Sequence, residues 1–394
     1  MRICLVTREF PPVTAYSGGI GTNFAFLAAE LSRQGHETHV LTVTKERGHS
    51  LRRDGVSIHR VRRPNPERLW FLEELTWGFA VDRSLRRLGA FDIIFAPEWG
   101  GEAWRYARRG PTAPLVTLLT TSVDQVLVIA SDWRRSRRMR ARHAIQRRLE
   151  QNQAERSDAI VASSRAILAW TREMWDIEGI PSVTLPNMVD VQRLRGLAEG
   201  TAPPGFPTGG PVVAFSGRLE IRKGVHILVE AMREVWDLMP GAHLVLLGRD
   251  GDWGRGKMSE RLRELAGPHA SRLTILGHQP PEHLLPALAS ADVVALPSLW
   301  ENFALAALEA KALGCAMIAT SGSGYGDFIT SEEDGLLVPP GESAPLAAAL
   351  VRLLSDGSAR RRLASRAAEN AEAYDVSVVT RRHIDFFRRV AGAS

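Results

Sequence analysis

Four charged residues in the second half of this chain could handle a diphosphate and the groups hanging from it. Arg218 and Lys223 lie in the turn Gly217-Arg218-Leu219-Glu220-Ile221-Arg222-Lys223-Gly224, directly after the apolar run Val212–Ser216. Arginine grips two phosphate oxygens at once and lysine adds a compact point charge, so a basic turn containing glycine at a helix start suits a pyrophosphate. Glu301 and Glu309 stand eight residues apart in a helix-forming stretch. Eight helical residues rise about 12 Å, more than the roughly 5–9.5 Å between the paired carboxylates of a glycosidase. The two glutamates are therefore not acid and base on one bond. They suit the two ends of a long ligand whose anionic middle lies at the helix N-terminus, where free N–H groups and the dipole favour negative charge. Taken alone, both sets read equally well as solvated surface charges.

The elements around these residues alternate strand and helix. The run Asp292–Leu296, ended by Pro297-Ser298, reads as a buried parallel strand. A helix follows over Phe303–Leu313, closed by Gly314, then a strand over Cys315–Ala319 and the glycine-rich Ser321–Gly326. Such a unit places its polar loops at the carboxyl ends of strands, where open α/β sheets bind ligands. The chain opens in the same way. A strand over residues 3–7 leads through a loop from Glu9 to Gly21, containing Gly18 and Gly19, into a helix over Thr22–Gln34 and a strand over Glu37–Thr44. Asp54–Val61 alternates like an edge strand, Leu69–Leu88 reads as helical, and Phe91–Pro97, Pro114–Leu119 and Ala159–Ala162 read as buried strands. The alternation restarts at Val212. Residues 196–210 are rich in glycine and proline and read as a linker. The expected architecture is α/β, with Rossmann-like domains over 1–195 and 211–375 facing each other across a ligand-binding cleft. An amphipathic helix over about 376–394 should return to the first domain.

The block S-x-x-E-N-F-x-L-x-x-L-E-A-x-A-x-G at 298–314, with G-R-x-x-x-x-K-G at 217–224, resembles the donor-site signature of glycosyltransferase family 4, retaining enzymes of GT-B fold. The resemblance covers nearly the whole chain and is most specific over 212–341. It implies that Glu301 holds the donor sugar, Glu309 the ribose hydroxyls, and Arg218 and Lys223 the diphosphate. Glu301, Arg218 and Lys223 are then the catalytic set, with Asn302, Phe303, Ala304 and Leu305 lining the helix start. Gly18 and Gly19 match a loop that approaches the donor phosphates from the opposite domain. Gly277-His278 matches the place where the backbone meets the base, which nominates His278; Arg249 and Asp250 fall in a variable loop near the nucleotide. Two positions depart from the pattern: Leu119 stands where members often carry a histidine that touches donor sugar and acceptor, and Met188 replaces the usual glycine in the interdomain segment Val183–Asp190.

The implied reaction moves a sugar from a nucleotide-diphosphate sugar, most often a UDP-sugar, with GDP- and ADP-sugars open, to an acceptor hydroxyl with retention. The nucleotide sugar enters as a substrate, and neither a metal nor a resident cofactor is implied. A sugar-nucleotide epimerase or a phosphorylase is the alternative on the same fold. Glu98, Glu102, Thr120, Thr121 and Asp124, at the ends of strands in the first half, are the candidate acceptor contacts; the carboxylates suit an amino sugar or aminocyclitol. The acceptor class, whether small natural product, glycan or lipid-linked, stays open.

Composition narrows the setting. At 44% apolar and 24% charged residues the 394-residue chain has an ordinary soluble composition, and no segment approaches membrane-spanning length. Cys4 and Cys315, both in apolar runs, give no disulfide framework or metal cluster, which fits a reducing cytoplasmic setting. Much of the net charge of +6 sits in Arg134–Arg148. That run reads as a helix with a solvated arginine face and Met139, Ile145 and Leu149 turned to a core. It also suits an anionic acceptor or peripheral contact with the inner membrane face; without a nucleic-acid fold signature, no nucleic acid is expected as a partner. Two motifs are set aside as decoys. Gly19-x-Gly21 lacks the third glycine of a dinucleotide fingerprint, since Phe24 occupies its place, which argues against a nicotinamide cofactor. Gly251–Lys257 nearly forms a P-loop of a nucleotide hydrolase, but Met258 replaces the hydroxyl that would hold magnesium. The neighbouring Asp250-x-Asp252 merely looks like the metal tripeptide of the other glycosyltransferase fold.

Overall fold

The computed structural model describes residues 1–14, 18–44, 48–62, 72–129, 137–254 and 256–392. They divide into two compact units, residues 1–188 with 376–394 and residues 189–375.

The first unit is built on β1 (Arg2–Val6), α1 (Gly19–Arg33), β2 (Glu37–Thr44), β3 (His49–Arg53) and β4 (Val56–Arg62). It continues through α2 (Glu73–Leu88), β5 (Ile93–Pro97), α3 (Trp104–Arg109), β6 (Leu115–Leu119) and α4 (Val123–Ile129). It is completed by α5 (Arg137–Ala154), β7 (Ala159–Ala162), α6 (Arg165–Met174) and β8 (Ser182–Thr184). The strands form one sheet in the order β3-β4-β2-β1-β5-β6-β7-β8. Within β1, Ile3 and Leu5 join a core on one face, while Cys4 and Val6 join the core on the other. That period-2 split is why these strands read as continuous apolar runs: both faces are covered.

The second unit holds α7 (Val191–Ala198), β9 (Val212–Ser216), α8 (Val225–Leu238), β10 (His243–Leu247) and α9 (Met258–Ala266). Then come β11 (Leu273–Gly277), α10 (Pro281–Ala289), β12 (Val293–Leu296), α11 (Leu305–Ala312), β13 (Met317–Thr320) and β14 (Leu336–Val338). Helices α12 (Ser343–Ser355) and α13 (Gly357–Asn370) close it. The sheet order is β11-β10-β9-β12-β13-β14, with every neighbouring pair parallel. Connections run outward from β9 on one side and from β12 on the other. The β9/β12 pair is thus the topological switch point, the place where such sheets bind ligands.

Helix α14 (Val376–Gly392) belongs to the first unit, where Val379, Ile384, Phe386 and Phe387 join the core that contains Phe24 and Phe95.

Several boundaries differ from the sequence reading. Residues 196–210 are not a free linker: α7 covers their start, and Ala202 and Phe206 pack on the second unit's core beside Leu194. The division falls instead at Met188 and Val189. Met188 is fully buried in the first unit, its sulfur accepting from Thr380 Oγ1 at 3.7 Å, which gives the departure from glycine a packing reason. Asp54–Val61 is not an edge, because β3 pairs antiparallel outside β4. Helix α1 starts at Gly19 rather than Thr22, with Gly18 as its N-cap.

Candidate functional site

The switch point of the second unit brings the loops after β9 and β12 into contact. The Leu299 N–H donates to the Arg222 carbonyl at 2.8 Å, and Thr320 Oγ1 donates to the Ser298 carbonyl at 2.6 Å. Two glycines permit this approach. Gly224 holds φ +66°, and a Cβ there would lie 1.9 Å from the Pro297 carbonyl oxygen. At Gly324, in the glycine-rich loop after β13, a Cβ would lie 1.4 Å from the Asn302 carbonyl oxygen, while its N–H donates to the Glu301 carbonyl at 2.8 Å.

On this scaffold Lys223 Nζ donates to Glu301 Oε2, and Arg222 Nη1 lies 3.6 Å from Glu301 Oε1. Ser298 Oγ is 3.4 Å from the same carboxylate and 3.3 Å from the Tyr325 hydroxyl. Burial alone would raise the Glu301 pKa, but Lys223 and Arg222 outweigh it and hold the carboxyl below its usual value. The group is an anion fixed between two cations.

Arg218 follows a different course from the expectation. Its side chain is exposed and faces Glu220 at 3.4 Å, whereas Arg222 is the arginine on Glu301 and also pairs with Glu220 at 3.0 Å. Sequence reasoning passed over Arg222, although its place beside Lys223 was a usable signal. Tyr325 was likewise missed; burial pushes its hydroxyl pKa up, and Glu301 adds to the rise.

Helix α11 begins at Leu305, two residues later than expected, because Phe303 turns into the core and meets the Phe328 ring at 4.4 Å between centroids. Asn302 and Phe303 therefore belong to the preceding loop, with Ala304 as an N-cap that offers no side-chain hydrogen bond to the first-turn amides. Those amides remain the anion-attracting end of the helix. Glu309 is half-buried on α11 and its carboxyl group has no hydrogen bond or ion pair among the described residues; burial pushes it up to about 7. Two residues on, Lys311 is buried against Asp334 and the Phe328 carbonyl, anchoring the loop before β14 to α11. His278 is exposed just after β11, at the carboxyl edge of the same sheet.

The P-loop-like run and the neighbouring Asp250-x-Asp252 are both occupied internally. Asp252 accepts from Lys257 Nζ at 2.8 Å, and Asp250 accepts from the Ser259 N–H at 3.0 Å and its hydroxyl at 2.5 Å. Lys257 is thus tied to its own loop, and Met258 is buried at the start of α9. Among the described residues no cluster of histidine, cysteine and carboxylate groups could hold a metal ion.

The first unit revises the acceptor contacts. Glu98 is buried and accepts from the Thr120 N–H at 2.8 Å and from its hydroxyl, while Glu102 is buried against Arg8 at 3.3 Å. Asp124 is buried and pairs with Arg147 at 2.9 Å. Each of these carboxylates has an internal donor that ties it to its surroundings. Glu150, unremarked in the sequence, accepts from the Gly100 and Val123 N–H groups, both at 2.8 Å, and so ties the loop after β5 to α4. Burial pushes Glu98 and Glu102 up to about 7 and Glu150 up to about 8. Thr120 and Thr121 are half-buried after β6, and Leu119 is wholly buried at its end. The Gly18 N–H donates to Glu9 at 2.7 Å, and Gly19 is exposed in the first turn of α1.

Comparison with known proteins agrees with this layout. Residues 17–193 match the family model "Glycosyltransferase Family 4", and residues 199–370 match "Glycosyl transferases group 1". The phosphatidyl-myo-inositol mannosyltransferase of Mycolicibacterium smegmatis is 28% identical over 95% of this chain and 91% of its own. A glycogen synthase of Mycobacterium tuberculosis is 26% identical over 92% of this chain and 88% of its own. Among solved structures, the sucrose-phosphate synthase of Thermosynechococcus elongatus superposes with a TM-score of 0.81 at 22% identity, with all of both chains covered. The Anabaena protein HepE, in complex with UDP, superposes at 0.71 and 21% identity over 99% of this chain and all of its own. The structural likeness is one of fold. Matched along both of its parallel-sheet domains, the chain belongs to the family 4 glycosyltransferases and has the GT-B fold.

Proposed function

We propose that this glycosyltransferase takes its sugar from a nucleotide-diphosphate donor, a UDP-sugar in the first instance, and passes it to an acceptor hydroxyl with retention. The observation that carries the reading is the convergence of Lys223 and Arg222 on Glu301 at the β9/β12 switch point. A diphosphate entering between this turn and α11 meets Lys223, Arg222, the exposed Arg218 and the first-turn amides of α11. As its oxygens draw the cations, Glu301 is released to accept hydrogen bonds from the donor sugar. Glu309, unpaired and farther along the same helix, accepts from the ribose hydroxyls. His278 stands at the carboxyl edge, where a base would lie.

The charge that develops in the reaction is on the departing diphosphate, so preorganised cations and helix amides lower the barrier more than any nucleophile would. The bond from the anomeric carbon to the β-phosphate oxygen breaks, and the acceptor oxygen bonds to that carbon from the same face. The acceptor proton passes to the leaving phosphate. Atoms and charge balance with neither a covalent enzyme intermediate nor a metal. The UDP bound in the Anabaena neighbour supports the uridine choice. Thermal-shift measurements against UDP-, GDP- and ADP-sugars test it: a rise confined to UDP-sugars is expected, and stabilisation by another nucleotide sugar alone would overturn the uridine assignment. NMR of the product anomer tests retention. The acceptor is a hydroxyl compound whose class the first unit's loops select through Thr120, Thr121 and the turns that Glu98 and Glu150 fix.

A further inference from the structure

Helices α4 and α5 leave between them a groove of about 640 Å³ that none of the donor loops lines. One wall is α5: Arg140, Ala144, Arg147 and Arg148, exposed at helical spacing, with the half-buried Gln151 and the buried His143. The other wall is Asp124 and Leu127 of α4. Ala144 is the short residue of the α5 wall, and it leaves room between arginines whose Cα atoms stand about 10–12 Å apart along the axis.

The charges in this groove are unbalanced. Arg147 is matched by Asp124 at 2.9 Å. Arg140 and Arg148 have no carboxylate in ion-pair range among the described residues, whereas Arg142, on the inward side of the same helix, is held by Glu74 at 2.6 Å. Three guanidinium groups around a concave wall with one carboxylate make a site that a multivalent anion would complete, because guanidinium forks match phosphate oxygens two at a time.

We propose that the α4/α5 groove is a phosphate-binding site, taking a di- or polyphosphorylated small molecule or the phosphate headgroups of a lipid surface. Either ligand places phosphoryl oxygens between Arg140 and Arg148; the exposed Val128 on α4 supplies an apolar neighbour that only a lipid would use. The site shares no residue with the donor loops, so it stands or falls apart from the proposed donor binding.

The test uses the full chain and the variant Arg140→Gln/Arg148→Gln, whose exposed substitutions leave the core intact; circular dichroism verifies folding. Calorimetric titration with inorganic pyrophosphate is run on wild type, on this variant and on Lys223→Ala, and each protein is also sedimented with phosphatidylglycerol or phosphatidylcholine vesicles. A soluble ligand class predicts a pyrophosphate-binding component that Lys223→Ala retains and the double variant loses at least tenfold. A lipid class predicts binding to phosphatidylglycerol vesicles, lost at least tenfold in the double variant, and no such pyrophosphate component. If the double variant matches wild type in both assays, the groove binds no phosphate and the proposal is overturned.

Discussion

Lys223 and Arg222 share one buried anion, Glu301, and on the proposed reading each exchanges that partner for part of a donor. The pairing of Glu301 with Glu309 was legible in the sequence only in part: helical rise does not measure their separation, because Glu301 lies in the loop before α11 and only Glu309 lies in the helix. The division of labour between arginines was not legible, since Arg218 and Arg222 lie in one turn and only the tertiary contact with the loop after β12 selects Arg222. Arg222→Ala should therefore lower kcat/KM for the donor by tenfold or more and by a larger factor than Arg218→Ala; the reverse order, in steady-state kinetics, would contradict the assignment. Glu309 makes a second prediction. Its carboxyl is raised to about 7, so the carboxylate proposed to accept from ribose hydroxyls is present above that pH and is lost as pH falls through it. The donor KM should rise as pH drops from 8 to 6, and Glu309→Gln should flatten that profile at a uniformly weaker KM. A profile unchanged by the substitution would remove Glu309 from the donor site.

At the scale of elements, the strands and the basic, acidic and glycine-rich loops could be read from apolar runs and punctuation. The precise start of α11 could not, because Phe303 has good helix-forming neighbours yet is drawn into a cluster with Phe328 and Tyr374, residues far off in sequence. The tight passage of Gly324 over Asn302 gives a stability test. Gly324→Ala forces a Cβ onto a carbonyl oxygen and should destabilise the protein by roughly 3 kcal/mol or more in denaturant unfolding; a near-neutral change would mean the loop packs less closely. In the first unit Glu98 and Glu102, read from the sequence as acceptor contacts, are buried and brace their loops, as does Glu150, which the sequence did not single out. Their folded pKa values, about 7, 7 and 8, exceed the ordinary carboxyl value, so the folded state binds more protons than the unfolded one. Their stabilisation is present at low pH and is lost as pH rises through the folded values. The unfolding temperature should fall between pH 6.5 and 8, more steeply than in Glu150→Gln; a flat or rising trend would contradict this electrostatic account.

At the scale of the whole molecule, two sheets, one parallel and one parallel except for its edge strand β3, account for the restart of strand and helix alternation halfway along the chain. Where the chain passes from one unit to the other was harder to see. The glycine- and proline-rich 196–210 drew attention, while the division falls at the bulky Met188, whose role is visible only once it is seen buried against α14. The C-terminal helix was readable from its amphipathic pattern. Among the described residues no helix is long and apolar enough to cross a membrane. The central claim, that the β9/β12 switch point grips the donor diphosphate, is tested most directly by steady-state turnover of the donor in Lys223→Ala, with folding verified by circular dichroism. The account predicts a folded protein whose kcat/KM has fallen at least a hundredfold, about 2.7 kcal/mol of lost transition-state binding. A folded Lys223→Ala that turns over donor at the wild-type rate would contradict it.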